Sequence, residues 1–112
     1  MNELSKKSCE ACEVGAPLVP ESDFPDLLTQ VEGWQIHRDE INKLIKQFMF
    51  DDYIAAVHFT NAVAHLAEQE DHHPSINLEW GKVTVQWWSH KIKGLHMNDF
   101  ICAAKTNKLI KN

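Results

Sequence analysis

Apolar and polar residues alternate from Trp34 to Arg38 and again from Leu44 to Phe50, the two-residue period of half-buried strands. The intervening Asp39-Glu40-Ile41-Asn42 is polar enough to turn the chain, so the pair predicts a hairpin. The period then changes. Ala56, Phe59, Val63 and Leu66 recur at steps of three and four, which predicts a helix from Tyr53 to about Asp71 with Asp51 or Asp52 as its cap. Pro74 prevents continuation and pushes His73 out of helical geometry. Ile76, Leu78 and Trp80 alternate with polar residues, Gly81-Lys82 permits a turn, and Val83 to His90 alternates again. After Gly94, Asn98 or Asp99 can cap a last helix with an apolar face of Phe100, Ile101, Ala104 and Ile110. Upstream, Ser22 or Asp23 can cap a first helix with Pro25 in its opening turn, Leu27-Leu28 on its buried face and Gly33 just past its end.

The predicted order is α-β-β-α-β-β-α. An α+β fold, a four-stranded antiparallel sheet with three helices packed on one face, buries these patterns most simply. The 112 residues suffice for one domain, expected over residues 20–112. Residues 1–19, with few large apolar side chains, predict a flexible tail. Cys9 and Cys12 lie in that tail as a C-x-x-C pair without a second ligand pair, and read as reduced thiols; Cys102 reads as a small core residue. A formal charge of -5 argues against nucleic acid or an anionic membrane surface as the main partner. No apolar run approaches the roughly 20 residues of a membrane helix, and Met1 to Lys7 lacks the core of a secretory signal, so a cytoplasmic location is expected.

The chemistry lies between residues 68 and 99. Asp71-His72-His73-Pro74 is followed by Ser89-His90 and Asp99, which gathers three imidazoles with carboxylates in about thirty residues. Histidine gives and takes protons near neutral pH, so such a group suggests proton transfer or a metal. The spacing of Glu68, His72-His73-Pro74, Trp80, His90 and Asp99 resembles that of the pterin-4a-carbinolamine dehydratase family, over the chain from about Pro20 onward. That family dehydrates 4a-hydroxytetrahydropterin to the quinonoid dihydropterin, without metal or other cofactor, so that aromatic amino acid hydroxylases can reuse their pterin.

The resemblance implies roles residue by residue. His72 and His90 match the histidines that protonate the leaving hydroxyl, and His73 the one that orients the pterin. Pro74 shapes that corner. Ser89 and Lys91 flank His90 where the family contacts the pterin, Glu68 and Asp99 match its acidic positions, and Trp80 matches an aromatic position able to wall the ring. Trp88 and Lys91 depart from the smaller or acidic residues expected of animal members, which bears on preference for the pterin side chain. The resemblance also implies a homodimer or homotetramer and a functional link to phenylalanine hydroxylase. The uncharged strand Val83 to Trp88 would need covering if it lay at a sheet edge, and Phe100, Ile101 and Ile110 offer a surface to share.

Other readings stand beside this one. His72 and His73 can simply cap a helix end. Asp99 can be an N-cap, Trp80 a core residue and Glu68 part of a solvated face. His37, His58, His65 and His96 match no position of the family and read as surface or packing residues. A metal-dependent hydrolase using His72, His73 and His90 is disfavoured because adjacent side chains diverge and no H-E-x-x-H pattern is present. A pterin-binding regulatory or protein-interaction module, or a dehydratase-like protein of molybdenum-cofactor metabolism, is the remaining alternative.

Overall fold

The computed structural model describes Leu4 and residues 17–110. One turn of 3-10 helix, Glu21–Asp23, runs into α1 (Phe24–Leu28) and is followed by β1 (Gln35–Arg38), β2 (Asn42–Met49), α2 (Tyr53–Glu70), β3 (Ser75–Glu79), β4 (Lys82–Trp87) and α3 (Met97–Lys108). The four strands form one antiparallel sheet in the order β1-β2-β4-β3. This is the α+β architecture that the periodicities predict.

Register explains why one face is covered. Leu44 pairs with Trp87, Phe48 with Val83, and Ile76 with Val85, which stacks the apolar residues of three strands on the same side. The helices close over that side. Ala56, Phe59, Val63 and Leu66 of α2 are buried, as the three-and-four spacing requires. The Asp52 side chain caps this helix by accepting from the Ala55 N–H at 2.8 Å. α3 packs on α2 as well as on β2 and β4, so its residues from Asn98 to Ala104 are buried all round rather than along one stripe. Gly33 takes φ +85° where the chain turns into β1, and a Cβ there would meet Lys46 Cε at 2.7 Å.

Several expectations are corrected. α3 begins two residues early: its N-cap is His96, whose Nδ1 accepts from the Asn98 N–H at 3.0 Å, and Asp99 is the residue that closes the capping box. Helix-cap preferences favour short oxygen side chains, which is why His96 was passed over. Phe100 and Ile101 are core residues of the single chain, while Ile110 is exposed; they do not form one shared surface. The uncharged strand β4 is interior, paired on both sides. The true edges are β1, four residues ending in His37-Arg38, and β3, preceded by Pro74 and ending in Glu79. Each edge is short and carries one formal charge, Arg38 on β1 and Glu79 on β3, at its last residue. Most of the expected tail, with Cys9 and Cys12, lies outside the described residues. Where it is described, the chain is docked: Leu4 is buried, and the Val19 N–H donates to the Leu95 carbonyl at 2.8 Å. Cys102 is buried, as expected. No described helix is long and apolar enough to cross a membrane.

One polar junction ties α1's exit to the sheet and α3. Asn107 Oδ1 accepts from Trp34 Nε1 at 3.0 Å and from Lys46 Nζ at 2.8 Å, while its Nδ2 donates to the Glu32 carbonyl at 3.0 Å. Burial pushes the Lys46 ammonium below the usual lysine value, opposed by the nearby Glu32 charge. Asn107→Leu removes all three bonds and is expected to cost about 2 kcal/mol or more, read as a lower urea midpoint. Lys46 Nζ also donates to the Glu32 carbonyl at 2.8 Å, and Lys46→Met should cost less, about 1 kcal/mol at most, because that carbonyl and Asn107 Oδ1 each retain another donor. The depressed lysine binds its proton more weakly when folded than when unfolded. The wild type should therefore gain on Lys46→Met as pH rises towards the ordinary 10.5, and unfolding curves at neutral and alkaline pH check that sign.

Candidate functional site

The end of α2 sets the first two imidazoles. The helix stops at Glu70 because Asp71 turns left-handed at φ 52°, and the His72 N–H folds back to the Ala67 carbonyl at 3.1 Å. Pro74, expected to be the stop, follows three residues after that turn, half-buried at the start of β3. His72 is buried and His73 exposed.

His72 is 7% exposed and lies nearly parallel to the Trp87 ring, with centroids 5.6 Å apart and 15° between planes. Its Nε2 is 2.6 Å from Asp99 Oδ1. Asp99 is wholly buried, and its other oxygen accepts from Ser89 Oγ at 2.8 Å and from the His96 N–H at 2.9 Å. A carboxylate only accepts, so Nε2 of His72 carries a proton and Nδ1 is the ring nitrogen left for other partners.

His73 is exposed, with Nε2 2.6 Å from Glu68 Oε2, one turn back on α2. His90 lies in the turn after β4, which is closed by the reciprocal Ser89 and Gly94 backbone bonds of 2.8 and 3.3 Å and contains the left-handed Lys93 at φ 55°. Nε2 of His90 is 3.2 Å from the His73 carbonyl oxygen and must be the donor. His90 therefore shares the arrangement of His72: Nε2–H is engaged and Nδ1 is left.

The sequence-derived residues divide clearly. The fold brings His72, His73, His90, Glu68, Ser89 and Asp99 together through the bonds above, with Pro74 beside them and Lys91 exposed on the His90 turn. Ser89 and Asp99 have no accessible surface, and their side chains are bonded to each other and, through Asp99, to His72. Trp80 is not brought to the group. It occupies the β3–β4 turn, 72% exposed, at the far end of a hairpin whose near end follows Pro74. Five strand residues separate the two ends, about 16 Å. The alternation that placed Trp80 in a strand continued into the turn, and spacing along the chain does not report which end of a hairpin a residue occupies.

The sequence reading missed Trp87 as the stacking partner of His72, His96 as the cap that aligns Asp99, and Lys43. Lys43 Nζ lies 4.3 Å from the centroid of Trp88, whose ring is 4.4 Å from that of His90. The alternation did carry the signal for Trp87, since it puts that residue on the core side next to a helix end. No group of three or more His, Cys, Asp or Glu side chains that could hold a metal ion is found among the described residues.

Comparison with known proteins gives this geometry a family. The model of the family "Pterin 4 alpha carbinolamine dehydratase" matches residues 17–109. A protein of Vibrio vulnificus (strain YJ016) named "Putative pterin-4-alpha-carbinolamine dehydratase" is 52% identical over 109 residues, 96% of this chain and 99% of its own. One of the same name from Saccharophagus degradans is 49% identical over 110 residues, 97% of either chain. Among solved structures, a transcriptional coactivator/pterin dehydratase from Brucella melitensis superposes with a TM-score of 0.78 at 28% identity, over 85% of this chain and 100% of its own. A pterin dehydratase-like protein described as a RuBisCO assembly factor in the alpha-carboxysome gives 0.60 at 25% identity, over 70% of this chain and 89% of its own. With one matched region running through both hairpins, α2 and α3, the chain belongs to the pterin-4a-carbinolamine dehydratase family.

Proposed function

We propose that the chain is a hydro-lyase that converts 4a-hydroxytetrahydropterin to quinonoid dihydropterin and water. The observation that carries this reading is the shared arrangement of His72 and His90, each with Nε2–H engaged and Nδ1 without a partner among the described residues. In the reaction the C4a–O bond breaks with its electron pair on oxygen, and an imidazolium Nδ1–H protonates the departing hydroxide to give water. The N5–H pair forms the C4a=N5 bond, and the N5 proton passes to a neutral imidazole or to water. General acid and base help of this kind contributes about 10²–10⁴-fold and requires no metal or covalent intermediate. His72 and His90 are the acids in this reading. His73, exposed and steadied by Glu68, orients the pterin with Pro74 and Lys91.

The activity would return pterin to an aromatic amino acid hydroxylase such as phenylalanine hydroxylase, in the cytoplasm. The family resemblance further supports a homodimer or homotetramer. Light scattering at micromolar concentration is expected to give two or four times 12.9 kDa, and a stable, fully active monomer refutes it.

A second reading, a binding module acting through protein contacts, is favoured by the names of the two solved relatives, a coactivator and an assembly factor. The two readings separate in one assay. Purified protein added to freshly generated 4a-hydroxytetrahydropterin should accelerate the appearance of quinonoid dihydropterin over buffer. Tight pterin binding without acceleration would favour the module.

Variants assign the roles. His72→Ala and His90→Ala should each lower kcat, the double variant should nearly abolish turnover, and His73→Ala should chiefly raise KM. Wild-type rates and affinities in all three single variants would remove the basis of the mechanism.

Asp99→Asn tests the support behind His72. If its carbonyl continues to accept from His96 and Ser89, its amide faces Nε2 of His72 and drives the proton to Nδ1, the wrong tautomer for an engaged Nε2–H. We expect kcat to fall at least ten-fold with the fold retained by circular dichroism, and little further loss when the change is made on His72→Ala. Equal losses on both backgrounds would show that Asp99 does not act through His72.

A further inference from the structure

We propose that Trp88 is a positioning residue for His90, holding the imidazole so that Nδ1 is offered to the substrate; this rests on the dehydratase reading above. His90 sits in an exposed turn, where an imidazole ordinarily exchanges between rotamers on the picosecond-to-nanosecond scale. Its one ring hydrogen bond among the described residues, Nε2 to the His73 carbonyl at 3.2 Å, fixes one atom and leaves the ring free to swing about it. The Trp88 ring restricts that freedom. It lies 4.4 Å from the His90 ring, centroid to centroid, in a tilted contact at 31° between planes that limits the swing of the imidazole towards it.

Trp88 is itself held. It is half-buried, one residue past the end of β4, and the Leu44–Trp87 pairing brings Lys43 alongside it. The Lys43 ammonium lies 4.3 Å from the Trp88 centroid, within the range of a cation–π contact. A line of support thus runs from β2 through Lys43 and Trp88 to His90 and on to the His73 backbone. Trp87, one residue earlier, lies wholly inside the core, while Trp88 packs in part against that core and in part against the His90 ring.

The test uses the full chain with Trp88→Ala, Trp88→Phe, His90→Ala and the Trp88→Ala/His90→Ala pair. Trp88→Ala should lower kcat about ten-fold with KM within about two-fold, the loss expected when a reacting group is displaced without losing substrate contacts. Trp88→Phe, which retains a ring face, should recover most of it. On the His90→Ala background Trp88→Ala should cost nothing further. Nuclear magnetic resonance of the His90 ring gives a readout independent of turnover. The ring-current shift of its carbon-bound protons, and a single Nε2–H tautomer, should be present in wild type and Trp88→Phe and lost in Trp88→Ala.

Equal kcat losses with and without His90, or unchanged His90 resonances in Trp88→Ala, overturn the proposal. If the wild type does not accelerate dehydration, it is the reading of function that falls, and the resonances alone decide whether Trp88 holds His90. If Trp88→Ala does not fold, Trp88→Leu replaces it, retaining apolar volume without a ring face.

Discussion

The buried carboxylate of Asp99 is the interaction on which the rest of the site depends. A fully buried anion is costly unless its oxygens are hydrogen-bonded. Here three donors from three parts of the chain converge on it: the His72 ring after α2, the Ser89 hydroxyl after β4 and the His96 backbone before α3. Each of those segments is a connection, and connections are otherwise the least constrained parts of a fold. The charge makes their positions mutually dependent. The same residue closes the α3 capping box, so the helix terminus and the His72 ring share one anchor.

The sheet supplies the frame for that convergence. Because β4 is interior, its last residue, Trp87, is fixed by Leu44 of β2 on one side and roofed by α3 through the Trp87 Nε1 to Thr106 Oγ1 bond of 3.1 Å. The rigid indole is then a platform for the His72 ring. Trp88, half-buried at the margin of the core, has its own ring contact with His90. Two consecutive tryptophans at one strand end thus meet two different histidines.

The parts of this architecture that sequence made legible are those governed by period. The stripe Ala56, Phe59, Val63, Leu66 defined α2, and alternation defined all four strands, because burial on one face acts on every turn or every second residue. What period cannot give is order in space. Val83 to Trp88 looked like an unprotected edge because no local pattern distinguishes an edge strand from a central one without charge or proline. Phe100 and Ile101 looked like a surface to share because a helix wedged between a second helix and a sheet is buried on more than one stripe. The group that the fold brings together was legible as a spaced set, His72, His73, His90, Glu68 and Asp99. The supports were not: Trp87, His96 and Lys43 act through contacts between elements far apart in the chain, and Trp80 shows that correct spacing along a strand can deliver a side chain to the wrong end.

Apart from glycines, two described residues have positive φ, and both lie in the turns that carry the histidines: Asp71 at 52°, immediately before His72, and Lys93 at 55°, three residues after His90. Aspartate tolerates this region; a lysine does so at a cost of about 1 kcal/mol. Glycine at position 93 would relieve that strain, but it would also free the backbone of the turn that carries His90. Resistance to heat and definition of the site therefore pull in opposite directions there. A lineage adapting to higher temperature has safer ground elsewhere, in places such as the exposed Asp39-Glu40 turn between β1 and β2, where shortening or stiffening the connection touches no histidine of the site.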